Sequence, residues 1–175
     1  MNIEKRTVLQ GGFFSLLAGI SLSAAAKKDA SSAAATTLYG PTKVGEFDRT
    51  NPERSARYFQ NCMRAGDVEG AVRCLDVNAI YVTEAGKFVQ GRDAIRVAVT
   101  KFAVLKPDLQ AKRSAILLPG GDIASLVDEW TLKATLPNGQ KLDLAGVSSD
   151  ILKRQGNGVW TYLVDNPYGA AYLTV

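Results

Sequence analysis

The sequence predicts an α+β fold: three N-terminal helices packed on a long, curved antiparallel sheet. Three observations predict it. Residues 51–75 and 91–102 carry apolar side chains at helical spacing, punctuated by capping residues. After Pro107 the pattern changes to strand-like runs separated by turn signals. Residues 65–95, AGDVEGAVRCLDVNAIYVTEAGKFVQGRDAI, order two short helices breaking at Gly-Asp, a strand, a turn and a Gly-Arg-Asp helix start. Helices first and a strand meander afterwards is the segregated arrangement of α+β domains.

The first helix starts at Asn51-Pro52-Glu53, an Asn cap followed by proline and an acidic residue. It carries Ala56, Phe59 and Met63 on one stripe and stops at Gly66. Asp67 caps a second helix whose apolar face is Val68, Ala71, Val72 and Leu75. Residues 79–83 form a strand, 84–87 turn it, and Phe88-Val89 return briefly. Gly91-Arg92-Asp93 opens a third helix with Ile95, Ala98, Val99 and Phe102 facing inward. Four long strands follow over 109–118, 123–136, 141–154 and 159–166. Pro119-Gly120-Gly121-Asp122, Pro137-Asn138-Gly139-Gln140 and Gln155-Gly156-Asn157-Gly158 close them as hairpin turns. A long curved sheet folded over three helices covers both layers.

The segment before Asn51 belongs to a different kind of sequence. Lys5 and Arg6 precede an apolar run over 13–26 that ends in three alanines, the pattern of a secretory signal peptide. That run is shorter than the roughly 20 residues a membrane-spanning helix needs. Residues 4–10 resemble a twin-arginine export signal with Lys5 in place of the first arginine; the general secretion route is the alternative. Residues 27–50 are rich in Ala, Ser, Thr and Lys and read as a flexible arm. The expectation is an exported protein, periplasmic or secreted, with a pocket domain over 51–175 and no membrane span once the signal is removed.

The chain of 175 residues has a formal charge of +4, and its charges are scattered. No basic stripe with interleaved aromatics points to nucleic acid. It contains no histidine. That removes Ser-His-Asp and Cys-His catalysis and zinc sites of ordinary make-up, and no Gly-rich phosphate loop is present, so neither metal nor cofactor is expected. Acid–base chemistry then falls to a carboxylate, Lys, Tyr or Cys with a shifted pKa. Cys62 and Cys74 are the only cysteines. They fall on consecutive predicted helices, which makes them a disulfide candidate in an exported protein; two small buried side chains is the other reading.

Strand alternation points to two acids. On 123–136, Ala124, Leu126, Asp128, Trp130 and Leu132 share a face; on 141–154, Leu142, Leu144, Gly146, Ser148, Asp150 and Leu152 do. Asp128 and Asp150 are the charged residues on otherwise apolar or small inward faces. Burial of such a carboxyl raises its pKa and makes it a proton donor or acceptor, so both are catalytic candidates. A carboxylate satisfied by Arg57, Arg92 or Arg113 is the structural alternative. Phe59, Tyr81, Thr83, Trp130 and Tyr162 are the candidate ligand-facing residues, with core packing as the other reading of the aromatics. Asp165-Asn166-Pro167 reads as a strand end with an Asx turn.

Ala65-Gly66-Asp67, Asn78-Ala79, Gly86, Gly91-Arg92-Asp93-Ala94-Ile95, Asp128-Glu129-Trp130, and the terminal block Leu152-Lys153-Arg154, Gly158-Val159-Trp160 and Asp165-Asn166-Pro167 together resemble the nuclear transport factor 2-like superfamily, in its SnoaL-like branch. The resemblance implies a cone of curved sheet around a pocket, the cystatin-like roll, and homodimerisation through the sheet. It does not imply a reaction, because members include isomerases, cyclases, dehydratases and non-catalytic subunits. Compared with the steroid isomerases of this superfamily, Asp150 matches the oxyanion-binding acid. The position of their base is Thr83, and that of their oxyanion tyrosine is about Phe59. The leading expectation is therefore an exported protein that binds a small apolar or amphipathic molecule. An isomerase-, cyclase- or dehydratase-type enzyme using Asp150 or Asp128 is a second reading, and a dimeric association module of the cell envelope a third.

Overall fold

A computed structural model describes residues 43–45 and 48–173 of the chain. The expected signal peptide and most of the arm lie outside the described residues. Helix α1 spans Pro52–Ala65, α2 Val68–Val72 and α3 Arg92–Ala103. Strands are β1 Leu75–Glu84, β2 Lys87–Gln90, β3 Asp108–Leu117, β4 Ile123–Thr135, β5 Lys141–Val147, β6 Asp150–Arg154 and β7 Trp160–Asp165. A 3-10 turn over Gly169–Leu173 follows.

The caps form as their residue types dictate. The Asn51 side chain accepts from the N–H groups of Glu53 and Arg54, and Pro52 occupies the first turn. Gly66 ends α1 in the left-handed region at φ 65°. The next residue, Asp67, accepts from the N–H of Gly70 at 3.0 Å and so starts α2. Its other carboxyl oxygen accepts from the backbone N–H groups of Lys43 and Val44, at 2.6 and 2.9 Å. The stretch read as a flexible arm is thus docked where it is described. Arg49 continues the docking: its carbonyl accepts from Trp160 N–H and its guanidinium lies 5.1 Å from the Tyr58 ring centre.

The second helix ends earlier than its apolar spacing predicts. Leu75 opens β1 instead of closing α2, and the strand expected over 79–83 is ten residues long. The strand expected over 141–154 pauses at Ser148-Ser149 and divides into β5 and β6. There the Ser148 N–H donates to the Asp128 carbonyl, and the Ser149 N–H to that of Asn166. Trp130 explains why Gly146 precedes the pause: a Cβ at Gly146 would stand 2.6 Å from the indole.

The seven strands form one curved, unclosed sheet in the order β2-β1-β7-β6-β4-β3, with β5 also paired to β4. All pairs are antiparallel except β1–β7, which is parallel. The α+β cone holds, with a mixed sheet in place of a wholly antiparallel one. Helix α1 crosses β3, β4 and β7, while α3 packs on β1 and β2. The core between the layers is Phe59, Met63, Leu75, Ile95, Leu126, Leu132 and Leu152 with their neighbours. Cys62 and Cys74 are fully buried free thiols. Cys74 lies on the turn into β1 rather than on a helix, so the helix-to-helix geometry anticipated for a disulfide is absent. Burial pushes the Cys62 thiol up to about 12.

Candidate functional site

A cavity of about 80 Å³ lies between the helices and the inner face of the sheet. That is room for several waters or one small organic molecule. Phe59 comes from α1, Phe102 from α3, Tyr81 from β1, Trp130 from β4 and Tyr162 from β7. Each stands on an inward position of its element, and the Phe59 and Tyr162 rings pack tilted at 59°, with ring centres 5.5 Å apart. Four of the five residues expected to face a ligand, Phe59, Tyr81, Trp130 and Tyr162, line this cavity. Thr83 does not line the cavity; Val82 does. A register shift between Val82 and Glu84 turns the Thr83 hydroxyl toward the Lys87 carbonyl.

The polar wall is a row of carboxyls across β4, the β5–β6 junction and β7. Asp128, Asp150 and Asp165 are 5%, 3% and 8% exposed, and all three line the cavity. Ser148 Oγ donates to Asp150 Oδ2 at 2.7 Å and accepts from the Asp128 N–H at 3.3 Å. Asp150 Oδ1 accepts from the Asn166 N–H at 2.8 Å. Asp128 Oδ1 is buried and has no hydrogen-bond partner among the described residues. An unsatisfied buried oxygen of this kind costs about 1–3 kcal/mol.

Among the described residues no arginine forms an ion pair with the row, although the charge of Arg57 on α1 lowers Asp128 in small part. Arg113 pairs with Glu129 on the outer face, and Arg57 pairs with Glu53 one helical turn away. Among the described residues no ion pair reaches Asp128, Asp150 or Asp165. Burial therefore pushes all three carboxyls above their ordinary range. The charge of Asp165 raises Asp150 further, while the Ser148 hydroxyl and the Asn166 N–H oppose this. Ser114, the ladder partner of Asp128 on β3, holds Asp128 down in part. Burial and the carboxyls likewise raise the phenols of Tyr81 and Tyr162.

Asp165 and Tyr168 are the site residues that sequence reasoning did not assign. Strict alternation places Tyr162 and Asp165 on opposite faces of β7. The β6–β7 register shifts, pairing Ile151 with Val164 but Leu152 with Tyr162, so Leu163 is an extra residue. The bulge restores Asp165 to the inner face, beside Asp150. The turn after it is held by the Asn166 side chain, which accepts from Tyr168 N–H. Tyr168 then donates its hydroxyl to the Thr83 carbonyl at 3.0 Å, and the Trp130 indole donates to the Pro167 carbonyl at 3.0 Å. The segment after β7 is thereby stitched across the cavity wall. No local signal marks the bulge. The Asp-Asn-Pro run was the visible clue to the turn.

Among the described residues no three acidic, cysteine or histidine side chains are arranged to enclose a metal ion. The family model of the SnoaL-like domain matches residues 56–157, and the chain belongs to that family. No curated protein matches it. Solved structures share the fold at low identity. A nuclear transport factor 2-like superfamily protein from Salmonella enterica is 17% identical over 66% of this chain and 85% of its own, with a TM-score of 0.56. A Novosphingobium aromaticivorans protein provisionally described as a scytalone dehydratase is 12% identical over 65% and 77%, at 0.59. The association domain of Caenorhabditis elegans calcium/calmodulin-dependent protein kinase II is 14% identical over 65% and 88%, at 0.54.

Proposed function

We propose that this protein is an exported SnoaL-like domain that binds a small, mostly apolar molecule carrying one polar head. One observation carries the reading: an aromatic-walled cavity ends on a buried polar row in which Asp128 Oδ1 lacks a partner. A bound head group would satisfy that oxygen, and Phe59, Trp130 and Phe102 would cover the apolar body. Export rests on the basic and apolar pattern of residues 1–26. Native mass spectrometry of the protein made in its own cells reads both parts. The expected result is a chain beginning near residue 27 with a small molecule retained. A full-length chain would sink the export reading, and an empty cavity that no small molecule fills would sink the binding one.

Proton transfer by the Asp150–Asp165 pair is a second reading, favoured by two buried carboxyls that stand on one wall and are both raised by burial. In a substrate complex one carboxyl would donate and its neighbour accept. A dehydratase-like neighbour among the solved structures is compatible with this. Self-association is a third, supported by exposed Leu117, Ile123 and Val147 on the outer face of the sheet and by the association-domain neighbour.

A further inference from the structure

Acids, aromatics and the absence of bases together define a charge preference. The cavity walls include Asp128, Asp150 and Asp165 but no Lys or Arg. Trp130 and Tyr168 spend their N–H and O–H on the carbonyls of Pro167 and Thr83, and Ser148 spends its O–H on Asp150. The unsatisfied atom on this wall among the described residues is an acceptor, Asp128 Oδ1, on a residue 5% exposed. What is missing from this wall is a donor with positive charge. The rest of the lining is the rings of Phe59, Phe102, Tyr81 and Tyr162 with the Gln60 amide and the aliphatic Val82, Leu109 and Leu132, and aromatic rings attract a cation within about 6 Å of their centres.

We propose that the cavity takes a small organic cation, a protonated amine on a compact apolar frame. Its ammonium would donate to Asp128 Oδ1 and to the Asp150–Asp165 pair, with the frame against Phe59, Phe102 and Trp130. The inference rests on the cavity being a binding site and adds the charge of the occupant. An anionic head would meet three carboxyls and no base. A neutral carbonyl would need a protonated carboxyl as donor and would leave Asp128 Oδ1 without one.

The two heads differ in pH dependence. Facing Asp128 are Glu53 and Arg57 from α1, Ser114 from β3, and the carboxyls of Asp150 and Asp165 along the wall. Asp165 and Asp128 face Asp150, and the phenols of Tyr81 and Tyr162 stand beside the pair. The phenols stay protonated at neutral pH, so the carboxyls set the response. An ammonium requires ionised carboxyls, so its affinity rises with pH while the amine remains protonated; a carbonyl requires a protonated one, so its affinity falls.

Benzylamine, benzyl alcohol, benzaldehyde and benzoate are near-isosteric probes. They would be titrated into the full chain at pH 6 and pH 8, with the indole and ring signals of Trp130 and Tyr162 followed by NMR. The proposal expects benzylamine to bind about 10- to 100-fold tighter than benzyl alcohol, and tighter at pH 8 than at pH 6. Asp128→Asn should lose about tenfold or more of that affinity, with Asp143→Asn on the surface as control. Should Asp128→Asn fail to fold, the wild-type probe series decides alone. Binding of alcohol, aldehyde or benzoate as tight as that of the amine, or weakening toward pH 8, overturns the cation and leaves the cavity a binding site. No shift of either ring signal with any probe removes both readings.

Discussion

Asp165 shows how one side chain couples burial to chemistry. It shares the inner face with Asp150, has no cationic partner among the described residues, and is held above the ordinary carboxylate range by burial. Both acids bind protons more tightly folded than unfolded. Their stabilising effect is therefore complete below the unfolded pKa, about 3.9, and is lost as pH rises through the folded values. The wild-type melting temperature should fall between pH 5 and pH 8. Asp165→Asn keeps the shape but cannot ionise, so its melting temperature should change less over that window. Each unit of pKa shift removed is worth about 1.4 kcal/mol. Equal pH slopes in variant and wild type, measured by calorimetry, would rule out a raised Asp165.

At the scale of elements, α2 is too short to hold itself. An isolated helix of five residues is far below the length that is stable in water. It persists because Asp67 caps it and because Gly70 lets Cys62 approach; a Cβ at Gly70 would lie 2.6 Å from the Cys62 sulfur. The same carboxylate holds Lys43 and Val44, so one residue joins the arm, α1 and α2. Asp67→Ala should cost about 1–3 kcal/mol. It should also speed amide exchange at residues 43, 44 and 70 together. Protection lost at residue 70 alone would show that the arm is anchored elsewhere. The sheet follows the same logic: extra residues near Lys112, Thr83 and Leu163 shift its register, and bulges of this kind bend a sheet enough to enclose a cavity.

On the scale of the whole molecule, the sheet has one face on the core and one open to its surroundings. Leu117, Ile123 and Val147 are 66%, 39% and 52% exposed there. Ladder pairing of Leu117 with Ser125 and of Val147 with Glu129 places them on the same outer side as Ile123. Covering such a patch removes apolar surface from water at roughly 25 cal/mol per Å². Light scattering of the purified protein should show a dimer, and Leu117→Glu should shift it toward monomer by tenfold or more in dissociation constant, about 1.4 kcal/mol. A wild-type monomer at high concentration would remove the association reading. Among the described residues no helix is long and apolar enough to cross a membrane.

The local rules were legible in the residues. Asn51, Gly66, Asp67 and Gly91 mark helix ends because capping and left-handed backbone depend on a single side chain or its absence. Alternation on β4 placed Asp128 and Trp130 inside because the period of a strand is local too. Asp150 was found in the same way, although its strand breaks at Ser148. What required the tertiary structure was everything set by pairing between strands. The parallel return of β7 beside β1, the Leu163 bulge that turns Asp165 toward Asp150, and the Thr83 bulge that turns that side chain away all depend on a partner strand distant in sequence. The sequence determined the family, the caps and two of the three acids. The third acid, the unpaired Asp128 oxygen and the cavity between them were decided by register, which no single segment contains.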